Sequence, residues 1–99
     1  MTQFSVHPDP RNAGYLLNVQ TDVLDRLSTR QVIPLRLAGS VPGSLPRLNP
    51  VFEIEGQPCV LLTHYQGSIE TRHLKSAIDN LGAHRSEIVA ALDFMLQGY

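Results

Sequence analysis

The 99 residues balance eight Lys and Arg against nine Asp and Glu, for a formal net charge of -1, and 42% of them are apolar. That profile describes one globular domain with a single modest core and excludes a disordered or fibrous chain. Three Phe, three Tyr, no Trp and no cluster of Lys and Arg argue against a large nucleic-acid patch or a base-stacking platform.

In chain order, the opening "MTQFSVHPDP" has no basic run followed by an apolar stretch, so no signal peptide is expected. "GYLLNVQ" sets Tyr15, Leu17 and Val19 against Leu16, Asn18 and Gln20, and this period of two predicts a half-buried strand. "TDVLDRLSTR" reads as a connecting loop or short hairpin arm, with Asp22 and Asp25 capping turns or pairing with cations. "QVIPL" is a second short strand, which Pro34 marks as an edge or as bulged. Residues 38–50, "AGSVPGSLPRLNP", hold three prolines and two glycines and form a loop.

"VFEIE" and "CVLLTHY" then make a hairpin around "GQP", where Gly56 supplies the positive φ of a tight turn. "GSIETRHL" is a further alternating strand, with Ile69 and Thr71 on one face and Glu70 and Arg72 on the other; "KSAIDNL" fits neither period. Beyond it, Ile88, Leu92, Met95 and Leu96 fall at the i, i+4, i+7, i+8 spacing of an amphipathic helix. Asn80 or Gly82 is placed to cap its start and Gly98 to end it. Five or more short strands and one terminal helix predict a mainly β fold, a strongly bent sheet or partial barrel with the C-terminal α-helix packed on it. No apolar run approaches the roughly 20 residues that span a bilayer, so a cytoplasmic protein with no membrane contact is expected.

Residues that carry chemistry are sparse. His7, His64, His73 and His84 lack metal-ligand spacing, and even His64 and His73 read as ordinary half-buried side chains. Cys59 with His64 as its base would make a nucleophile, yet Cys59 opens a strand in an apolar run and reads as an inert buried thiol. As the only cysteine it allows no internal disulfide, which suits a reducing compartment. No glycine motif cradles a phosphate. Neither cofactor nor metal is expected, and the residues describe a binding module rather than an enzyme.

Four segments, "VQTDVLD", "TRQVIPL", "LNPVFEI" and "SEIVAALDFMLQGY", occur in an order and spacing that resemble the CcdB family of plasmid-type toxins. The most specific part is Val19-Gln20-Thr21-Asp22 followed by Val32-Ile33-Pro34-Leu35, and the likeness runs from Gln3 to Tyr99. The resemblance implies an SH3-like small barrel, with an added hairpin and a long C-terminal helix, assembled as a two-fold homodimer. It further implies a toxin that catalyses nothing: it binds the A subunit of DNA gyrase and traps the enzyme on cleaved DNA. A CcdA-like antitoxin with a disordered C-terminal segment would wrap and neutralise it. Carried over position by position, the gyrase-binding surface falls on Val23, Leu24 and Asp25 in a loop and on Asp93, Leu96, Gln97, Gly98 and Tyr99 at the helix end.

The tail departs from the family pattern. Gln97 stands where the best-known member has a tryptophan, and Tyr99 replaces a final aliphatic residue. Two alternatives therefore stay open. One is a protein that keeps the fold and antitoxin binding but has lost or altered its gyrase target. The other is an endoribonuclease of the related MazF type, for which Thr29-Arg30 is the only local candidate pair.

Overall fold

The computed structural model describes residues 2–11 and 13–98. Among the described residues seven strands form one sheet: β1 Ser5–Pro8, β2 Tyr15–Asn18, β3 Thr29–Leu37, β4 Val51–Ile54, β5 Gln57–Leu61, β6 Gly67–Glu70 and β7 Asp79–Asn80. Their order is β4-β5-β3-β2-β1-β7, with β6 also paired to β3, and every pairing is antiparallel. The sheet bends into a nearly closed small barrel, and one helix, α1 Arg85–Gln97, follows the last strand.

The long strand β3 is the spine, and it overturns the reading of Pro34. β3 is central rather than an edge: β2 runs along one side, while β6 pairs with Thr29–Val32 and β5 with Leu35–Leu37 on the other. Pro34 falls where one partner has ended and the next has not begun. Its carbonyl points to that side and accepts from Leu62 N at 2.9 Å. The missing N–H therefore faces a gap between partners and interrupts no ladder.

Strand β1 escaped the pattern because it is buried on both faces, with Val6 in the core and two polar residues on the opposite side. Strand β2, read as half-buried, is likewise buried on both faces at Leu16, Leu17 and Asn18. Ser5 and His7 are both buried. The His7 Nδ1–H donates to the Lys75 carbonyl at 2.7 Å, and the Ser5 hydroxyl lies 2.8 Å from Nε2. Paired in this way, the two polar groups are buried without the cost of unsatisfied donors or acceptors. The ambiguous "KSAIDNL" supplies the two-residue strand β7 against β1. "GSIETRHL" is a strand only as far as Glu70, and Thr71–His73 is a turn, so Thr71 and Arg72 do not alternate on a ladder. The hairpin turn is shorter than "GQP": Ile54 pairs with Gln57, and Glu55 (φ 51°) and Gly56 (φ 80°) form the two-residue loop of a type I′ turn.

The core gathers Phe4, Val6, Leu17, Ile33, Leu35, Phe52, Ile54, Cys59, Leu61, Leu81 and Ile88. Cys59 is fully buried, and burial pushes its thiol pKa up, in keeping with an inert side chain. α1 contributes Ile88 and Ala91 as its buried residues, with Leu92 packed partly beneath them. Leu96, expected on this face, instead points outward. The start of α1 also differs from expectation. Asn80 Oδ1 accepts from Gly82 N at 2.7 Å, which caps the turn Gly82–His84 that leads into the helix rather than the helix itself.

Candidate functional site

Val19-Gln20-Thr21-Asp22 leaves β2 and turns at once. Thr21 Oγ1 accepts from Val23 N at 3.4 Å, and Asp22 Oδ1 takes the Gln3 N–H at 2.8 Å. Both acceptors hold backbone donors and fix the turn, which leaves the apolar residues that follow them facing solvent. Val23 is 85% exposed, Leu24 46% and Leu27 50%. The loop is held from behind by Arg30, only 7% exposed. Its guanidinium donates to the carbonyls of Asp25 (2.8 Å), Leu27 (2.7 Å) and Thr29 (2.9 Å). Asp25 thus enters the loop through its backbone carbonyl.

The second part of the site is the end of α1. Gly98, at φ 80°, adopts the left-handed conformation predicted for it, and its N–H donates to the Phe94 carbonyl at 2.8 Å. Leu96 is 72% exposed, and Asp93, Gln97 and Gly98 are exposed beside it. Tyr99, predicted to belong here, lies outside the described residues. No basic residue stands in the last turn of the helix. Asp93 therefore adds to the partial negative charge of the free carbonyls, so this end of α1 is apolar with an electronegative rim, apart from the Arg47 guanidinium stacked 4.6 Å over the Phe94 ring.

Among the described residues no hydrogen bond joins the two parts directly. They are connected through the sheet. Gln20 reaches Leu24 O (2.9 Å), Gln31 reaches Gln66 (3.0 Å), and Gln66 donates to Met95 Sδ (3.6 Å). The sequence reading found Val23, Leu24, Asp25 and the helix end but passed over Leu27 and these three glutamines. Leu27 continues the apolar spacing of "VLDRL" and was legible. The glutamines were not, because their importance lies in cross-strand register.

The remaining candidates disperse. His64 sits 3.4 Å from Asn49 Nδ2 and packs edge-on against Tyr65, away from Cys59 in the core. His73 lies in a different cleft, with Pro10, Arg11 and Ile69. No group of three His, Cys, Asp or Glu converges among the described residues. A cleft of about 460 Å³ opens between the 40–44 loop and His64-Tyr65 and holds none of the residues predicted to bind gyrase. No helix among the described residues is long and apolar enough to cross a membrane.

Comparison with known proteins locates the chain. The family model described as "CcdB protein" matches residues 3–98. No match was found among curated proteins. Among solved structures, the Mycobacterium tuberculosis toxin MazF-mt6 is similar at 17% identity, with a TM-score of 0.76, covering 93% of this chain and 95% of that one. An endoribonuclease in complex with its cognate antitoxin, from a mycobacterial species, is similar at 13% identity, with a TM-score of 0.77, over 97% and 94%. Both likenesses establish the fold.

Proposed function

Because the chain belongs to the CcdB family, toxins of toxin–antitoxin pairs, we propose that it is a non-enzymatic poison of DNA gyrase. It binds the gyrase A subunit through Val23, Leu24, Asp25, Asp93, Leu96, Gln97, Gly98 and Tyr99 and holds the enzyme on cleaved DNA. The observation that carries the reading is the exposure of Val23 and Leu96, two apolar side chains with no packing role, on the two segments that the family uses. Val23 is joined on its loop by the exposed Leu24 and Leu27, and a cluster of exposed apolar side chains, rather than a single one, marks an interaction surface. In keeping with the family, the protein acts in the cytoplasm as a two-fold homodimer and is neutralised by a CcdA-like antitoxin.

The exchange of the family tryptophan for Gln97 shifts the balance of this surface. It loses an aromatic anchor, and such residues carry much of an interface's energy. The electronegative helix end compensates in part by attracting a cationic side chain of the partner. A nuclease reading finds less support. Arg30, the cation of its only local candidate pair, already donates to three backbone carbonyls from a buried position.

Titration of purified gyrase A subunit with this protein and with its Val23→Asp and Leu96→Asp variants tests the proposal. Saturable binding by the parent protein, weakened at least tenfold in both folded variants, is expected, since a buried charge at an interface costs well over about 1.4 kcal/mol. Absence of binding by the parent protein contradicts it and leaves a changed target.

A further inference from the structure

We propose that the side chains of Gln20, Gln31 and Gln66 form a positioning relay that locks the Asp22–Leu24 turn and the last turns of α1 into one register. A change at one part of the partner surface is thereby felt at the other. The inference rests on the two-part surface proposed above and adds to it a coupling between the parts.

The relay follows from the way each amide is used. Gln20 donates through Nε2 to the Leu24 carbonyl at 2.9 Å, while its Oε1 accepts from Gln31 N at 3.0 Å. Gln31 sits on β3, and its Nε2 donates to Gln66 Oε1 at 3.0 Å while its own Oε1 accepts from Ser68 Oγ at 3.2 Å. Gln66 passes the sequence on by donating to Met95 Sδ at 3.6 Å. The oxygen and nitrogen of all three amides are thus occupied, and donation runs outward from Gln31 both ways: from its backbone N–H to Gln20 and on to Leu24, and from its Nε2 to Gln66 and on to Met95. Turning any of them over sets oxygen against oxygen or nitrogen against a donor, so the chain of bonds fixes its own orientation.

The supporting frame is stiff. Gln31 pairs in register with Ser68 across β3 and β6, and Val19 N donates to Gln31 O at 3.0 Å on the other side. A displacement of the turn at Leu24 therefore pulls through Gln20 on the Gln31 backbone N–H, and the Gln31 side chain carries the strain on that residue to Gln66 and Met95. The relay ends on a thioether, a weak acceptor on an unbranched, flexible side chain. Met95 is accordingly the part most free to respond. It lies one residue before the exposed Leu96.

Methyl NMR tests the coupling without any partner. The chain has two methionines, so ¹³Cε labelling gives two signals, and Met95→Leu assigns them. Gln20→Ala is expected to shift the Met95 signal, and in a Gln66→Leu background the same change leaves it in place. Gln31→Leu severs the amide link while keeping its backbone bond to Gln20, and serves the same purpose if Gln66→Leu does not fold. With gyrase A subunit, Gln66→Leu weakens binding by about fivefold, as expected for one net hydrogen bond.

A Met95 signal that ignores Gln20→Ala, or moves equally with and without Gln66, overturns the relay. Unchanged gyrase affinity in a Gln66→Leu protein that has lost the coupling overturns its role in presenting the surface. Methyl coupling in a protein that does not bind gyrase upholds the relay and overturns the proposed target instead.

Discussion

Arg30 and Tyr15 show how single side chains fix the fold around the site. Arg30 is a buried cation whose partners are carbonyl oxygens rather than carboxylates. Arg30→Ala would leave those carbonyls to water or to nothing. A loss of about 2 kcal/mol in chemical denaturation is expected, together with faster amide exchange confined to residues 25–29. Tyr15 donates its hydroxyl to Glu55 Oε1 at 2.6 Å and ties β2 to the hairpin turn. Its pKa is raised from 10.0 to about 12, mainly by that hydrogen bond to Glu55 and then by burial and the Glu55 charge. Because the folded value lies above the unfolded one, the stabilisation is complete below pH 10.0 and disappears as the pH climbs through about 12. The stability gap between the parent protein and Tyr15→Phe, about 1 kcal/mol at neutral pH, should therefore stay constant to pH 10 and close above it. A gap that closes at lower pH excludes this bond as its source.

Elements were legible where their inward residues are apolar and obscured where they are not. β4 alternates with the period of two and α1 follows the helical period through Ile88 and Leu92, whereas β2, read as half-buried, is buried on both faces at Leu16, Leu17 and Asn18, and β5 is buried on both faces from Cys59 to Leu61. β1 was hidden because a serine and a histidine occupy the buried face opposite Val6, an arrangement made favourable by their mutual contact and by the Lys75 carbonyl, 68 residues away. Pro34 misled for a similar reason: which side of a strand lacks a partner is decided by β5 and β6, far along the chain. Within α1 the periodicity assigned Leu96 to the core, although Ala91 is the residue buried there. The two faces predict opposite outcomes. Ile88→Ala should cost about 3 kcal/mol through lost burial and a cavity, whereas Leu96→Ala should change thermal stability by less than about 0.5 kcal/mol. Calorimetry of the pair checks the assignment.

At the scale of the whole molecule, the family and the barrel were readable from short motifs in the right order, and the comparisons agree on both. The balance of the proposed site was less readable, because it depends on how a helix end presents Asp93, Gln97 and free carbonyls together. An apolar surface with an acidic rim predicts affinity for a cationic partner that falls as salt rises, since exposed charges are screened within about 10 Å at 0.1 M ionic strength. Asp93→Asn should lower affinity about threefold at low salt and flatten the salt dependence, leaving the fold intact. Isothermal titration at two salt concentrations reads both effects.

The central claim is that this surface arrests gyrase with its DNA cut. The most direct measurement is a cleavage assay with purified gyrase and supercoiled plasmid, run with the parent protein and with Leu96→Asp. Linear, protein-linked DNA that accumulates with the parent protein and not with the folded variant is the predicted result. Saturating parent protein that leaves the plasmid uncut and supercoiling uninhibited would contradict it.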